Sequence, residues 1–272
     1  MTYPLTWLYV PGDRPHVVAK ALLCGADVVV IDLEDAVAPD RKDYARAATA
    51  ELLSDPQPVP VHVRVNTLDG PWAAADLEAV ACLRGVAGLR LPKVVSPEQV
   101  IRVAEGAHAT APALYALLET ALGIERAHAI ASAHPALRGI SLGESDLRAD
   151  LGVRDDTGLD WSRSRIVVAA RAAGLPPPAQ SVYPDIRDLD GLAASCARGR
   201  TLGFLGRTAI HPRQLPVIKR AYLPTPREIE QAETIVKAAA AQQGAQALPD
   251  GRFIDAAVVA AARRTLSLAR RL

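Results

Sequence analysis

The sequence predicts a (β/α)8 TIM barrel followed by a C-terminal helical arm. Strand-like runs alternate with helix-like stretches through most of the 272 residues. The runs are apolar on both faces, as parallel strands covered by helices require. Chains of this length often fold as one such barrel. The alternation gives a barrel domain over residues 1–222 and an arm over 223–272. An open doubly wound sheet is the competing architecture, and it usually has fewer strands.

Taken in order, Thr6–Val10 is the first strand, closed by Pro11-Gly12 and followed by a helix to about Leu23. Asp27–Ile31 is rich in β-branched residues and precedes a helix over Asp40–Leu53. Val59–Val63 is third, with Pro71 suited to the first turn of the next helix. Ala87–Leu91 is fourth, and Pro97 opens its helix. Ala113–Leu118 is fifth and Ile140–Leu142 sixth, separated by a helical segment carrying Ile124, Ala127, Ile130 and Ala131. Trp161–Ala173 reads as helix and is stopped by Pro176-Pro-Pro178. Ala179–Tyr183 is the seventh strand, Leu189–Arg198 a helix, and Thr201–Leu205 the eighth strand. His211–Arg220, Thr225–Ala240 and Phe253–Leu272 are helical, with Ala241–Ala247 a linker by composition. The arm packs back as a lid or reaches a neighbouring subunit.

Half of the residues are hydrophobic and net charge is +1, which gives no electrostatic footprint for nucleic acid or an anionic membrane. No apolar run approaches a membrane span, and the N-terminus carries no signal-peptide pattern. Cys24, Cys82 and Cys196 lack metal-ligand spacing and fit a reduced compartment. These observations point to a soluble cytoplasmic enzyme with a small-molecule substrate.

Chemistry in a barrel belongs to the carboxyl ends of the strands. Those ends carry Asp32, Glu34 and Asp35; Arg64 and Asn66; Lys93; Glu119; Glu144, Ser145 and Asp146; and Tyr183 with Asp185. No histidine or cysteine stands there, and Ser145 has no evident base. Oxygen ligands alone suit Mg²⁺ better than zinc. Glu119 and Asp146 are read as a pair sharing that ion; the bland alternative pairs Glu119 with Lys93 or Arg64 and needs no metal. Arg64, Glu119 and the turn Gly143, Glu144, Ser145, Asp146 form the candidate substrate contact, with Arg64 and Glu34 as candidate catalytic groups. Glu144 reads equally as a group behind the site or a solvent-facing loop residue. At least one of Asp32, Glu34 and Asp35 is expected to bond Arg64 or a helix N-terminus. A Schiff-base lysine needs a depressed pKa, so Lys93 in so acidic a setting is read instead as a partner of the carboxylates. His211 is a helix-start residue or a substrate neighbour. Arg14, Lys20 and Arg46, near two helix starts, are either solvated helix faces or a phosphate seat for a carrier such as coenzyme A.

Several stretches resemble the citrate lyase beta subunit family within the larger group of malyl-CoA, citramalyl-CoA and related thioester lyases. They are Tyr9–Arg14, Ile31–Val37, Val63–Asn66, Leu91–Lys93, Leu118–Thr120, Gly143–Gly152 and Ala209–Pro212, in order along nearly the whole chain. The resemblance implies a Mg²⁺-dependent barrel built as a homotrimer or from trimers. It implies Glu119 and Asp146 as the metal ligands and Arg64 on the keto acid or the thioester enolate. The acyl group would ride on coenzyme A or an acyl-carrier protein, and the product would be a 2-oxo acid. The family's arm carries an acid in a Met-Ile-Asp-x-Pro-like motif. That position is Asp255 here, with Phe253 for the methionine and Ala257 for the proline.

Overall fold

A computed structural model describes residues 3–106, 112–241, 246–247, 251 and 253–271. The first unit, Pro4–Ile218, is built on one parallel sheet. Its strands are β1 (Thr6–Pro11), β2 (Val28–Asp32), β3 (Val61–Arg64), β4 (Val86–Leu91), β5 (Ala113–Leu118), β6 (Leu137–Leu142) and β7 (Arg207–Ala209). They lie in the order β6-β5-β4-β3-β2-β1-β7. The helices are α1 (Pro15–Ala21), α2 (Lys42–Leu53), α3 (Ala73–Val80), α4 (Pro97–Gly106), α5 (Ala121–Glu125), α6 (Ala127–Ala131), α7 (Glu144–Leu151), α8 (Asp160–Ala172), α9 (Leu189–Leu202) and α10 (Gln214–Tyr222), the last running across the unit boundary.

Period-two alternation sorts the strand residues onto two faces. Leu8, Val29, Ile31, Val61, Val63, Leu89, Leu91, Leu114, Ala116 and Leu118 are all but fully buried on one face. Each large one contributes roughly 1.5–3 kcal/mol by leaving water. The other face carries Trp7, Tyr9, Asp32, His62, Arg64, Arg90 and Tyr115. Asp32, Arg64, Arg90 and Tyr115 stand in register on four adjacent strands, which places charge and aromatic rings at one level of the sheet. His62 stacks on Tyr115, ring centroids 4.5 Å apart. A Cβ on Gly88 would lie within 2.9 Å of both rings, so β4 has glycine where they cross it.

Two of the expected eight strands differ. Thr201–Leu205 is the last turn of α9 and the loop after it. Gly203, at φ 97°, ends that helix: its N–H donates to the Arg200 carbonyl while that of Phe204 donates to Gly199. The strand starts later, at Arg207. Ala179–Tyr183 forms no strand ladder; Gln180 alone makes a parallel bridge to Arg207.

The second unit, Lys219–Leu272 with Met1–Tyr3, contains α11 (Pro226–Ala241) packed on α12 (Ala256–Ala269). Part of the expected linker, residues 242–245, lies outside the described residues. Gln246–Ala247 pairs antiparallel with Phe253–Ile254. No described helix is long and apolar enough to cross a membrane.

Candidate active site

A cavity of about 430 Å³ opens at the carboxyl ends of the strands. Its wall includes Arg64, Glu119, Gly143, Glu144, Ser145 and Asp146, so the structure gathers those expected residues in one place. Asp32 sits at the end of β2, 1% exposed. Its Oδ1 accepts the Glu34 amide at 2.9 Å and its Oδ2 the Ala36 amide at 3.1 Å. Arg64, from the end of β3, forks onto it: Nε donates to Oδ1 at 2.8 Å and Nη2 to Oδ2 at 2.6 Å. This bidentate pair is the structural role expected for one of the three acids. Burial alone would lower the Arg64 pKa, but the hydrogen bonds and charge of Asp32 hold it well above its ordinary value.

Glu34 does not line this cavity. Lys93 Nζ donates to its Oε1 at 2.6 Å, Thr67 Oγ1 donates at 3.2 Å, and Arg64 Nη1 lies 3.0 Å from Oε2. Burial raises its pKa against the pull of Arg64 and Lys93. Burial would depress Lys93, yet its bond to Glu34 prevails and the ammonium is pushed up to about 12. The ion pair with Glu34 favours the ammonium over the neutral amine a Schiff base needs.

Lys93 also serves the other side of the cavity. At φ 52° it is the only described non-glycine residue with positive φ. Its backbone N–H donates to Glu119 Oε1 at 2.9 Å. Glu119, just past β5, is 2% exposed. Its pKa rises to about 8, through burial first and then the nearby charges of Glu34 and Asp146, against the Lys93 amide. Across from it Gly143 leaves room: a Cβ there would collide with Glu119 Oε2 and lie 2.7 Å from its Cγ. Asp146, in the first turn of α7, has no hydrogen-bond or ion-pair partner among the described residues. Two carboxylates, one buried and neither neutralised by a basic side chain, fit a hard divalent cation that completes its shell with water and substrate oxygens. No group of three or more His, Cys, Asp or Glu among the described residues offers a fuller metal cage.

Other candidates fall elsewhere. Glu144 lines the cavity, but Arg163 forks onto its carboxylate at 3.0 and 2.6 Å, so it is neither solvent-facing nor free. Arg163 lies in α8 and was not foreseen; a single arginine on the buried stripe with Ile166 and Ala170 is the signal that identifies it. Arg46 is committed to Asp76 at 2.8 Å and Asp43 at 2.7 Å. Arg14 and Lys20 are exposed and line none of the cavity around Glu119. His211 accepts the Arg213 amide on Nδ1 at 3.1 Å, as a helix-start residue does. In the second unit, Asp255 caps α12 by accepting the Val258 amide at 2.9 Å.

Residues 5–212 match the family model described as HpcH/HpaI aldolase/citrate lyase. The chain belongs to the HpcH/HpaI aldolase/citrate lyase family. With that membership it is an enzyme of the lyase kind. It is 38% identical to a (3S)-malyl-CoA thioesterase of Cereibacter sphaeroides over 96% of this chain and 93% of that one. It is 35% identical to the citrate lyase subunit beta of Escherichia coli, covering 96% and 92%. Among solved structures, the CitE protein of Mycobacterium tuberculosis in complex with magnesium, acetoacetate and coenzyme A superposes with a TM-score of 0.84. That match has 35% identity and covers 98% of both chains. The citrate lyase beta subunit of the same organism, complexed with oxaloacetate and magnesium, matches 81% of this chain and 97% of its own, with TM-score 0.71 and 37% identity.

Proposed function

We propose that this chain is a Mg²⁺-dependent carbon–carbon lyase. It would cleave a β-hydroxyacyl thioester of the citryl, malyl or citramalyl type into an acetyl-type thioester and a 2-oxo acid, reversibly. One observation carries the reading: Glu119 and Asp146 share a cavity with Arg64, and no basic side chain pairs with either acid. The magnesium complexes of the structural relatives support the choice of ion.

Bound between Glu119 and Asp146, Mg²⁺ would polarise the oxygen beside the substrate's carboxylate. The hydroxyl proton would pass to solvent, the carbon–carbon bond would break, and its electron pair would pass to the acyl fragment as a thioester enolate. Arg64 balances that charge, and Asp32 fixes its fork for the purpose. Glu34 holds Arg64 and Lys93 in place rather than touching the substrate. Asp255 would return the proton to the enolate carbon, a role resting on the family resemblance. Gln180 bridges β7 and Ser181 Oγ accepts the Glu144 amide at 3.2 Å, just past β6. These two contacts support closure of the sheet into a barrel through the 179–183 segment. A trimer-based assembly and a cytoplasmic setting complete the reading, with either coenzyme A or a carrier protein bearing the acyl group.

The thioesterase name of one relative raises hydrolysis as the rival outcome. Incubation with malyl-, citramalyl- and citryl-CoA in Mg²⁺, followed by product analysis, decides it. An oxo acid with acetyl-CoA is expected; release of the intact hydroxy acid with free thiol would replace the lyase reading.

A further inference from the structure

The cavity that holds Glu119 and Asp146 also holds a cation that no carboxylate answers. Arg90, one residue short of the carboxyl end of β4, is 2% exposed and lines the cavity wall. Among the described residues its side chain forms no ion pair and donates no hydrogen bond, and its Nε is buried without a partner. A guanidinium withdrawn from water without a counter-ion is strongly disfavoured. The rings of Trp7, Tyr9 and Tyr115, with centroids 6.0, 5.8 and 5.6 Å from its Cζ, offset only part of that.

The contrast with Arg64 is direct. Arg64 is in register with Arg90 on the adjacent strand, and its guanidinium lies 5.2 Å from the same Tyr9 ring. Arg64 is answered by Asp32; Arg90 is not. His62 adds no competing charge, because burial first and Arg90 second push its pKa well below the ordinary value. Each acid on the cavity wall is either taken, as Asp32 and Glu144 are, or belongs at the exposed and metal-binding end.

We propose that Arg90 is a specificity-determining residue that binds the second carboxylate of a dicarboxylic 2-oxo acid. The first carboxylate and the oxo oxygen would face Glu119 and Asp146, so the assignment rests on the lyase reading above. Spacing agrees. Glu119 stands four residues beyond Tyr115, the residue in register with Arg90, a rise of about 13 Å along the strand. One long guanidinium side chain and one small diacid fill that depth together. An oxo acid ending in a methyl group or hydrogen would leave the guanidinium unanswered. The cavity therefore selects a substrate whose released half keeps a carboxymethyl group, the citryl type among the three classes.

The test titrates the full-length protein with oxaloacetate and with pyruvate in excess Mg²⁺ by calorimetry, and repeats both with Arg90→Met and Arg90→Lys. The wild type is expected to prefer oxaloacetate. Arg90→Met is expected to lose about 100-fold in oxaloacetate affinity with pyruvate affinity unchanged, and Arg90→Lys to recover part of the loss. A parallel loss for both acids means a merely structural arginine and overturns the assignment. Equal wild-type affinity for the two acids overturns it as well, whether or not the variants fold, and leaves the lyase reading standing. A wild type that binds neither acid removes the lyase reading and this assignment with it.

Discussion

On one side Asp32, Glu34, Arg64 and Lys93 form a set of ion pairs; on the other, Glu119 and Asp146 form no ion pair among the described residues. The same residue types at neighbouring strand ends thus reach opposite electrostatic states. The charges of the first side answer one another within the chain. The second is a pair of carboxylates without an ion pair, and burial raises the Glu119 pKa against the Lys93 amide and the nearby charge of Arg64. The difference teaches that acidity alone does not mark a metal site. The better candidate is an acid left without an ion pair.

Asp146→Ala should have the largest effect on function, a drop of about 10³-fold or more in Mg²⁺-dependent turnover. Its melting temperature should stay near that of the wild type, because Asp146 bonds no described residue. Equal loss of stability and activity would erase the distinction between the two sides. Asp32→Ala should do the reverse and lower unfolding stability by about 3–5 kcal/mol in urea, since Arg64 is left buried without its partner. Mg²⁺ itself should stabilise the wild type by about 2.7 kcal/mol at one hundred times its dissociation constant. Neither Asp146→Ala nor chelated protein should show that gain in differential scanning fluorimetry. Gly143→Ala pushes a methyl group into Glu119 and should weaken Mg²⁺ about tenfold by calorimetry.

The smallest effect is a slope with pH. In chelator the folded-state pKa of Glu119, at about 8, lies above its ordinary 4.5. The proton is thus bound more tightly in the folded state. The associated stability is fully present below about 4.5 and is lost as pH rises through about 8. Melting curves in EDTA should fall across that window relative to Glu119→Gln, and added Mg²⁺ should flatten the difference.

Much of this was legible in the chain itself. β1 to β6 stand where continuous β-branched and aliphatic runs predict them, because a strand covered on one face and packed on the other leaves little room for polar residues. Thr201–Leu205 misled because its apolar residues have different settings: Leu202 ends a glycine-capped helix and Phe204 is buried in the loop after it. Glu119, just past β5, and Asp146, in the first turn after β6, stand where the sequence placed them, and both line the one cavity. Arg90 was not foreseen, since it lies inside the strand run, one residue before its end, rather than just past it. Its signal was there all the same, a single charge inside an otherwise apolar run. Which acids are neutralised could not be read, because that depends on partners such as Arg163 lying tens of residues away.

Lys93 has a consequence for how the halves communicate. Its amide leans on Glu119 while its ammonium grips Glu34, and the left-handed backbone lets one residue do both. An ion arriving at Glu119 would therefore bear on the one residue whose ammonium also steadies Glu34, and through Glu34 on Arg64.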